Sequence, residues 1–147
     1  MRKGKNSMKK SVKLWIIAAV CIVVAGIVLL VYMNSFQKIS PRQVEKIVLF
    51  TSSNHSSDVA LDADEVNEFV ELYNSAGYGG LANGEGGTPE LGVTIYFRNG
   101  AILHINEFGG HHDFEVFRVH FGIKGRAYYI DSDKLNDFLL ALVEKYS

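Results

Sequence analysis

The residues best equipped for chemistry stand together in Gly109-Gly110-His111-His112-Asp113, with His104 and His120 a short way off on either side. A catalytic zinc ion takes three side-chain ligands of these types and keeps a fourth position open. His104, His111, His112, Asp113 and His120 are the set from which such a site would be drawn. Adjacent histidines, however, point apart unless their loop bends sharply, and no HExxH or CxxC spacing accompanies them. The plainer reading is a polar connection between two strands, and no metal is assigned. Nucleophilic catalysis finds less support, because the only cysteine, Cys21, lies inside an apolar run and no GxSxG occurs. Asp62, Asp64, Glu65, Glu68 and Glu71 read as charges at a helix start and along a solvated helical face, not as a catalytic acid pair. No catalytic residue and no cofactor is assigned.

Residues 77–92 hold seven of the fourteen glycines. A glycine loop that cradles phosphate needs a strand before it, a helix after it and a lysine for the charge. Here a helix precedes and a strand follows, with no Lys or Arg between Lys46 and Arg98. The segment is expected to be a long mobile connection, or a loop that touches a partner.

The elements around these residues follow from periodicity. Val44–Thr51 (VEKIVLFT) is β-branched, aromatic and too short for a helix, so it reads as a first strand. Asp62 with Glu65 three positions on is a helix-start signature, and Val66, Phe69, Val70 and Tyr73 share one helical face. Leu91–Phe97 and Ala101–Glu107 flank Asn99-Gly100. A two-residue turn would set Ile95 against His104 and put polar groups into the core. A three-residue turn over Arg98, Asn99 and left-handed Gly100 instead pairs Ile95 with Leu103 and Val93 with Ile105, and is preferred. Thr94, Tyr96, Ile102 and His104 then share the opposite face.

For the next strand, Phe114–Ile123, the expected inward set is Phe117, Val119, Phe121 and Ile123, with Val116, Arg118 and His120 outward. A two-residue turn at Lys124-Gly125 would pair Phe121 with Tyr128 and Val119 with Ile130, leaving His120 opposite Tyr129. Asp131 or Ser132 caps a final helix with an apolar stripe of Leu135, Phe138, Leu139, Leu142, Val143 and Tyr146. The expected fold class is α+β: a two-layer domain of order β-α-β-β-β-β-α, mainly antiparallel, with two helices on one face. The more open face, carrying Thr94, Tyr96, His104, Arg118, His120 and Tyr129, is the candidate binding surface.

A mean hydropathy of +0.08 and a net charge of −1 over 147 residues conceal two different molecules. Leu14–Met33 is an unbroken run of apolar residues and glycine, about 30 Å long as a helix. A cleaved signal peptide would have a shorter apolar run and a small-x-small site, which is not found near Met33. Val20 before Cys21 argues against a lipid-modified cysteine. Arg2, Lys3, Lys5, Lys9, Lys10 and Lys13 precede the run without any acid, which orients the leader to the cytoplasm. Residues 38–147 carry nine basic and sixteen acidic side chains, a balance of −7, and should be repelled by nucleic acid and anionic headgroups. The expected organisation is a basic cytoplasmic segment at 1–13, a transmembrane helix at 14–33, a stalk at 34–42 and an extracytoplasmic domain at 43–147.

This anchor, followed by Tyr128-Tyr129-Ile130 and the helix Leu135–Tyr146, resembles in layout the small single-pass exterior domains of Gram-positive bacteria. Those proteins mostly have no assigned activity, so the resemblance implies a membrane location and transfers no site residue. The leading expectation is a single-pass membrane protein whose exterior domain binds an envelope protein or cell-wall component, without nucleic acid. The alternatives are a metal-dependent or acid-base envelope enzyme centred on the histidine cluster, and an envelope sensor whose five histidines titrate near neutrality.

Overall fold

The computed structural model describes residues 4–33, 36–52, 59–83, 89–107 and 113–147. The chain divides into two units, Met1–Ser35 and Phe36–Ser147. The first is a single helix, α1 (Gly4–Met33), whose side chains from Val12 to Val31 are all exposed. A helix in a soluble core buries at least one face, whereas this one buries none along twenty apolar-rich residues. It is long and apolar enough to cross a bilayer.

In the second unit a short 3-10 turn, Pro41–Gln43, leads into β1 (Val44–Thr51). β2 (Val59–Ala60), α2 (Ala63–Ser75), β3 (Gly77–Leu81), β4 (Leu91–Phe97) and β5 (Ile102–Glu107) follow. β6 (Asp113–His120), β7 (Ile123–Lys124), β8 (Tyr128–Asp131) and α3 (Asp133–Tyr146) complete the chain. The strands form one antiparallel sheet in the order β2-β1-β4-β5-β6-β8-β3, with β7 paired to β6. The architecture is α+β, as the periodicity predicts.

The β4–β5 hairpin has the three-residue turn required by parity. Ile95 pairs with Leu103 and Val93 with Ile105. The Gly100 N–H donates to the Phe97 carbonyl at 2.9 Å, and Gly100 sits at φ 81°, where a side chain would be strained. The Asp62 carboxylate caps α2 by accepting from the Asp64 and Glu65 N–H groups, and Glu65 reaches back to the Asp62 N–H at 2.8 Å. Ser132, rather than Asp131, caps α3 through the Leu135 N–H at 3.2 Å. Phe69 and Tyr73 of α2 and Leu135 and Leu139 of α3 pack with Ile47, Val93, Ile95, Leu103, Ile105, Phe114, Val116 and Ile130 of the sheet in one buried cluster.

Two expectations are overturned. Gly77–Leu81, expected to be mobile loop, is edge strand β3, paired with β8 through Gly77↔Asp131 and Tyr78↔Ile130. Glycine has no side-chain preference for a strand, but the backbone ladder needs none. The Tyr78 ring, 5.9 Å from that of Tyr128, supplies the packing. Strand β6 is inverted relative to expectation. Tyr128 pairs with Val116 and Ile130 with Phe114, five positions from the expected partners, and an odd shift exchanges the faces. The turn falls at Phe121-Gly122, both left-handed at φ 51° and 75°, and not at Lys124-Gly125. Phe114 and Val116 are therefore the buried residues, while Phe121 is 87 % and Ile123 64 % exposed.

The chain enters this unit through the segment expected to be a stalk, 34–42. From Phe36 onward it is packed on the domain. The Asn74 side chain accepts from the Ile39 N–H and donates to the Ile39 carbonyl, both at 2.8 Å, standing in for a strand partner. Ile39 is buried, and the Phe36 ring lies 5.4 Å from Tyr73 and edge-on to Tyr128 at 6.1 Å.

Candidate functional site

The sheet has one face under the helices and one without them. Register defines the second face as rows of neighbours. One row runs Lys46, Tyr96, Ile102, Val119, Lys124; the next runs Val48, Thr94, His104, Phe117. A third runs Phe50, Gly92, Asn106, Glu115, Tyr129. Apart from Gly92, every residue in these rows is partly or fully exposed.

The side chains on this face are held by one another. Lys46 Nζ lies 4.5 Å from the centre of the Tyr96 ring, and Lys124 Nζ lies 4.0 Å from that of Phe117. The His104 ring stacks on Phe117 at 4.8 Å, while its Nδ1 is 3.2 Å from the Thr94 hydroxyl. Half-burial, with the Lys124 ammonium nearby, lowers the His104 pKa below the ordinary imidazole value, so the ring is neutral at pH 7. Tyr129 donates to Asn83 Oδ1 at 2.9 Å, tying the end of β3 to β8. Gly92 is where the face comes closest to the backbone: a Cβ there would lie 2.6 Å from both the Phe50 ring and the Ile105 carbonyl oxygen.

Of the six expected surface residues, Thr94, Tyr96, His104 and Tyr129 share this face. Arg118 and His120 do not, because the inverted β6 sends them to the helix-covered side. Arg118 donates to Gln37 Oε1 at 2.7 Å and stands over the Phe97 ring at 5.1 Å. Nearby, the buried Tyr73 and Tyr128 hydroxyls meet at 3.0 Å, and burial raises both phenol pKa values above the ordinary tyrosine range. These are neutral groups sealing a core. Sequence reasoning missed Lys46, Phe117 and Lys124. Phe117 shares its parity with Phe121, which in the sequence points both toward the core, and the two lysines carry no periodic signal.

The histidine cluster does not assemble as a metal site in what the structure describes. His111 and His112 lie outside the described residues. His104 faces the open side, His120 follows the opposite parity, and Asp113 pairs with Asp131 at the far end of β6. Among the described residues no group of three His, Cys, Asp or Glu could hold a metal ion. Comparison with protein-family models, with curated proteins and with solved structures finds no match for this chain.

Proposed function

We propose that this chain is a single-pass membrane protein. In this reading α1 is the anchor, the basic leader is cytoplasmic, and the second unit is an extracytoplasmic interaction domain. The reading draws on a helix that buries none of the twenty side chains from Val12 to Val31, and on six cations with no acid between Arg2 and Lys13, ahead of the apolar run. The observation that carries the binding assignment is the open sheet face, where Lys46 lies over Tyr96 and, in a second set, Lys124 lies over Phe117, which stacks on His104. Aromatic and cationic groups pre-ordered in this way lose little conformational freedom on binding, which is how protein interfaces obtain affinity from few residues. The partner is a protein that brings apolar surface to Tyr96 and Phe117 and a carboxylate to Lys46.

A photo-crosslinking residue at position 96 in membranes tests this directly. It should yield one discrete adduct, which is lost when His104 and Phe117 are changed to alanine and retained when Arg118, on the other side, is changed to Gln. Adducts that ignore His104 and Phe117, or depend on Arg118 instead, would move binding off this face.

A further inference from the structure

Charge in the second unit is segregated. Residues 36–147 hold nine basic and sixteen acidic side chains, yet seven of the nine cations fall in residues 38–46, at Arg98 and in residues 118–126, alongside a single acid, Glu45. Register gathers those three segments at one end of the sheet. Val44 pairs with Phe97, Tyr96 with Ile102, Ile102 with Val119 and Val119 with Lys124. Hydrogen bonds tie the same end together. The Arg98 N–H donates to the Gln43 carbonyl at 3.0 Å, Arg98 Nε to the Arg42 carbonyl at 3.2 Å, and Arg118 to Gln37 at 2.7 Å. The entering segment reaches this end through Gln37, and the unit begins at Phe36, three positions after the last residue of α1 in sequence.

From this cationic end projects the β6–β7 turn. It lies beyond the last β5 partner, Ile102↔Val119, and carries Phe121 and Ile123 at 87 % and 64 % exposure. Phe121 occupies a left-handed backbone at φ 51°, a position usually left to glycine or asparagine, and its ring stacks with His120 at 4.3 Å. An aromatic and an aliphatic side chain held out of the core, with Lys124 and Arg126 next to them in sequence, form an apolar wedge with a basic collar. That is the chemistry of a membrane interface: apolar tips enter below the headgroups while cations meet the anionic lipid surface.

We propose that the Phe121-Gly122 turn is a lipid-docking finger, with Phe121 and Ile123 entering the interface of an anionic bilayer and Lys124 and Arg126 engaging its headgroups. This rests on the reading of α1 as the anchor. The net charge of −7 then orients the domain, because the acidic remainder is repelled by the surface that the basic end attracts.

The test uses the full chain in nanodiscs containing lipids brominated at shallow acyl positions, which quench tryptophan on contact. Trp15 in the native chain reports on α1. In a Trp15→Phe background, Phe121→Trp and, separately, Ile123→Trp report on the finger, and Leu140→Trp on the exposed side of α3 is the control. Quenching at 121 and 123 well above that at 140 is expected in phosphatidylglycerol discs, with a strong drop in phosphatidylcholine. Lys124→Gln should lower the docked-to-free ratio about fivefold. Quenching at 121 and 123 no greater than at 140, with Trp15 still quenched, would overturn the finger and leave the anchor standing. An unquenched Trp15 would instead overturn the anchor. Protection of the finger only in discs holding two copies would reassign it to a contact between chains. Equal quenching in both lipids would overturn headgroup charge as the recognised chemistry.

Discussion

Removing the Glu65 carboxylate should uncouple the start of α2 from the end of α3. Glu65 is 10 % exposed at its side chain and accepts from the Asp62 N–H at 2.8 Å, from the Tyr146 hydroxyl at 2.9 Å on both oxygens, and from Lys145 Nζ at 2.7 Å. In Glu65→Ala the lost half of the capping box costs about 1 kcal/mol. The hydroxyl bond to a charged acceptor adds about 1.5 kcal/mol. The Lys145 ammonium is exposed and screened by water, so it adds nothing to the sum. A loss of about 2–3 kcal/mol lowers the melting temperature of a domain of this size by roughly 8–12 °C. Urea unfolding of the full chain in micelles, followed by near-ultraviolet circular dichroism, measures it. Tyr146→Phe in a double-mutant cycle should show a coupling of about 1–2 kcal/mol. Acidity provides an independent reading. Burial opposes ionisation, but Lys145, the Asp62 N–H and Tyr146 outweigh it and hold the Glu65 carboxyl below the usual range. A lowered carboxyl stabilises the fold above its unfolded value of about 4.3, and that stability is lost as pH falls through the folded value. The advantage of the native chain over Glu65→Gln should therefore be full at pH 7 and shrink below about pH 4. A coupling near zero, or an advantage unchanged by acid, would refute the argument.

Two further outcomes follow from the open face. Gly92→Ala places a methyl 2.6 Å from the Ile105 carbonyl oxygen and the Phe50 ring, and should cost about 2 kcal/mol in urea unfolding because the backbone oxygen cannot yield as the ring can. The lowered His104 pKa means that the unfolded chain binds an extra proton just below about pH 6.5, so stability falls as pH drops through that window. His104→Gln should remove that dependence in melting curves taken between about pH 7 and 5.

The legible parts of the fold were those where one alternation was far better than its shift. In β4 and β5, a one-residue slip would have buried His104 and Asn106, so parity determined the turn and placed Thr94, Tyr96 and His104 together. In α2, Asp62 and Glu65 announced their own positions. Strand β6 was illegible because Phe114 and Val116 are apolar at one parity and Phe117, Val119 and Phe121 at the other. Only the turn could decide between them, and it uses a phenylalanine where the backbone favours a residue without a bulky side chain. The same inversion removed Arg118 and His120 from the site and put Phe117 into it. β3 was hidden because its pairing comes from the backbone of β8, about fifty residues away in sequence.

The hold of Asn74 on the Ile39 peptide has a practical consequence. Because Phe36 roofs the Tyr73–Tyr128 hydroxyl pair and Ile39 sits in the core, a soluble fragment begun at Val44 would strip both residues away and leave two phenols and an amide facing water. A fragment of the second unit keeps this packing only when it begins at or before Phe36, so the boundary of the folded body lies eight residues ahead of its first strand.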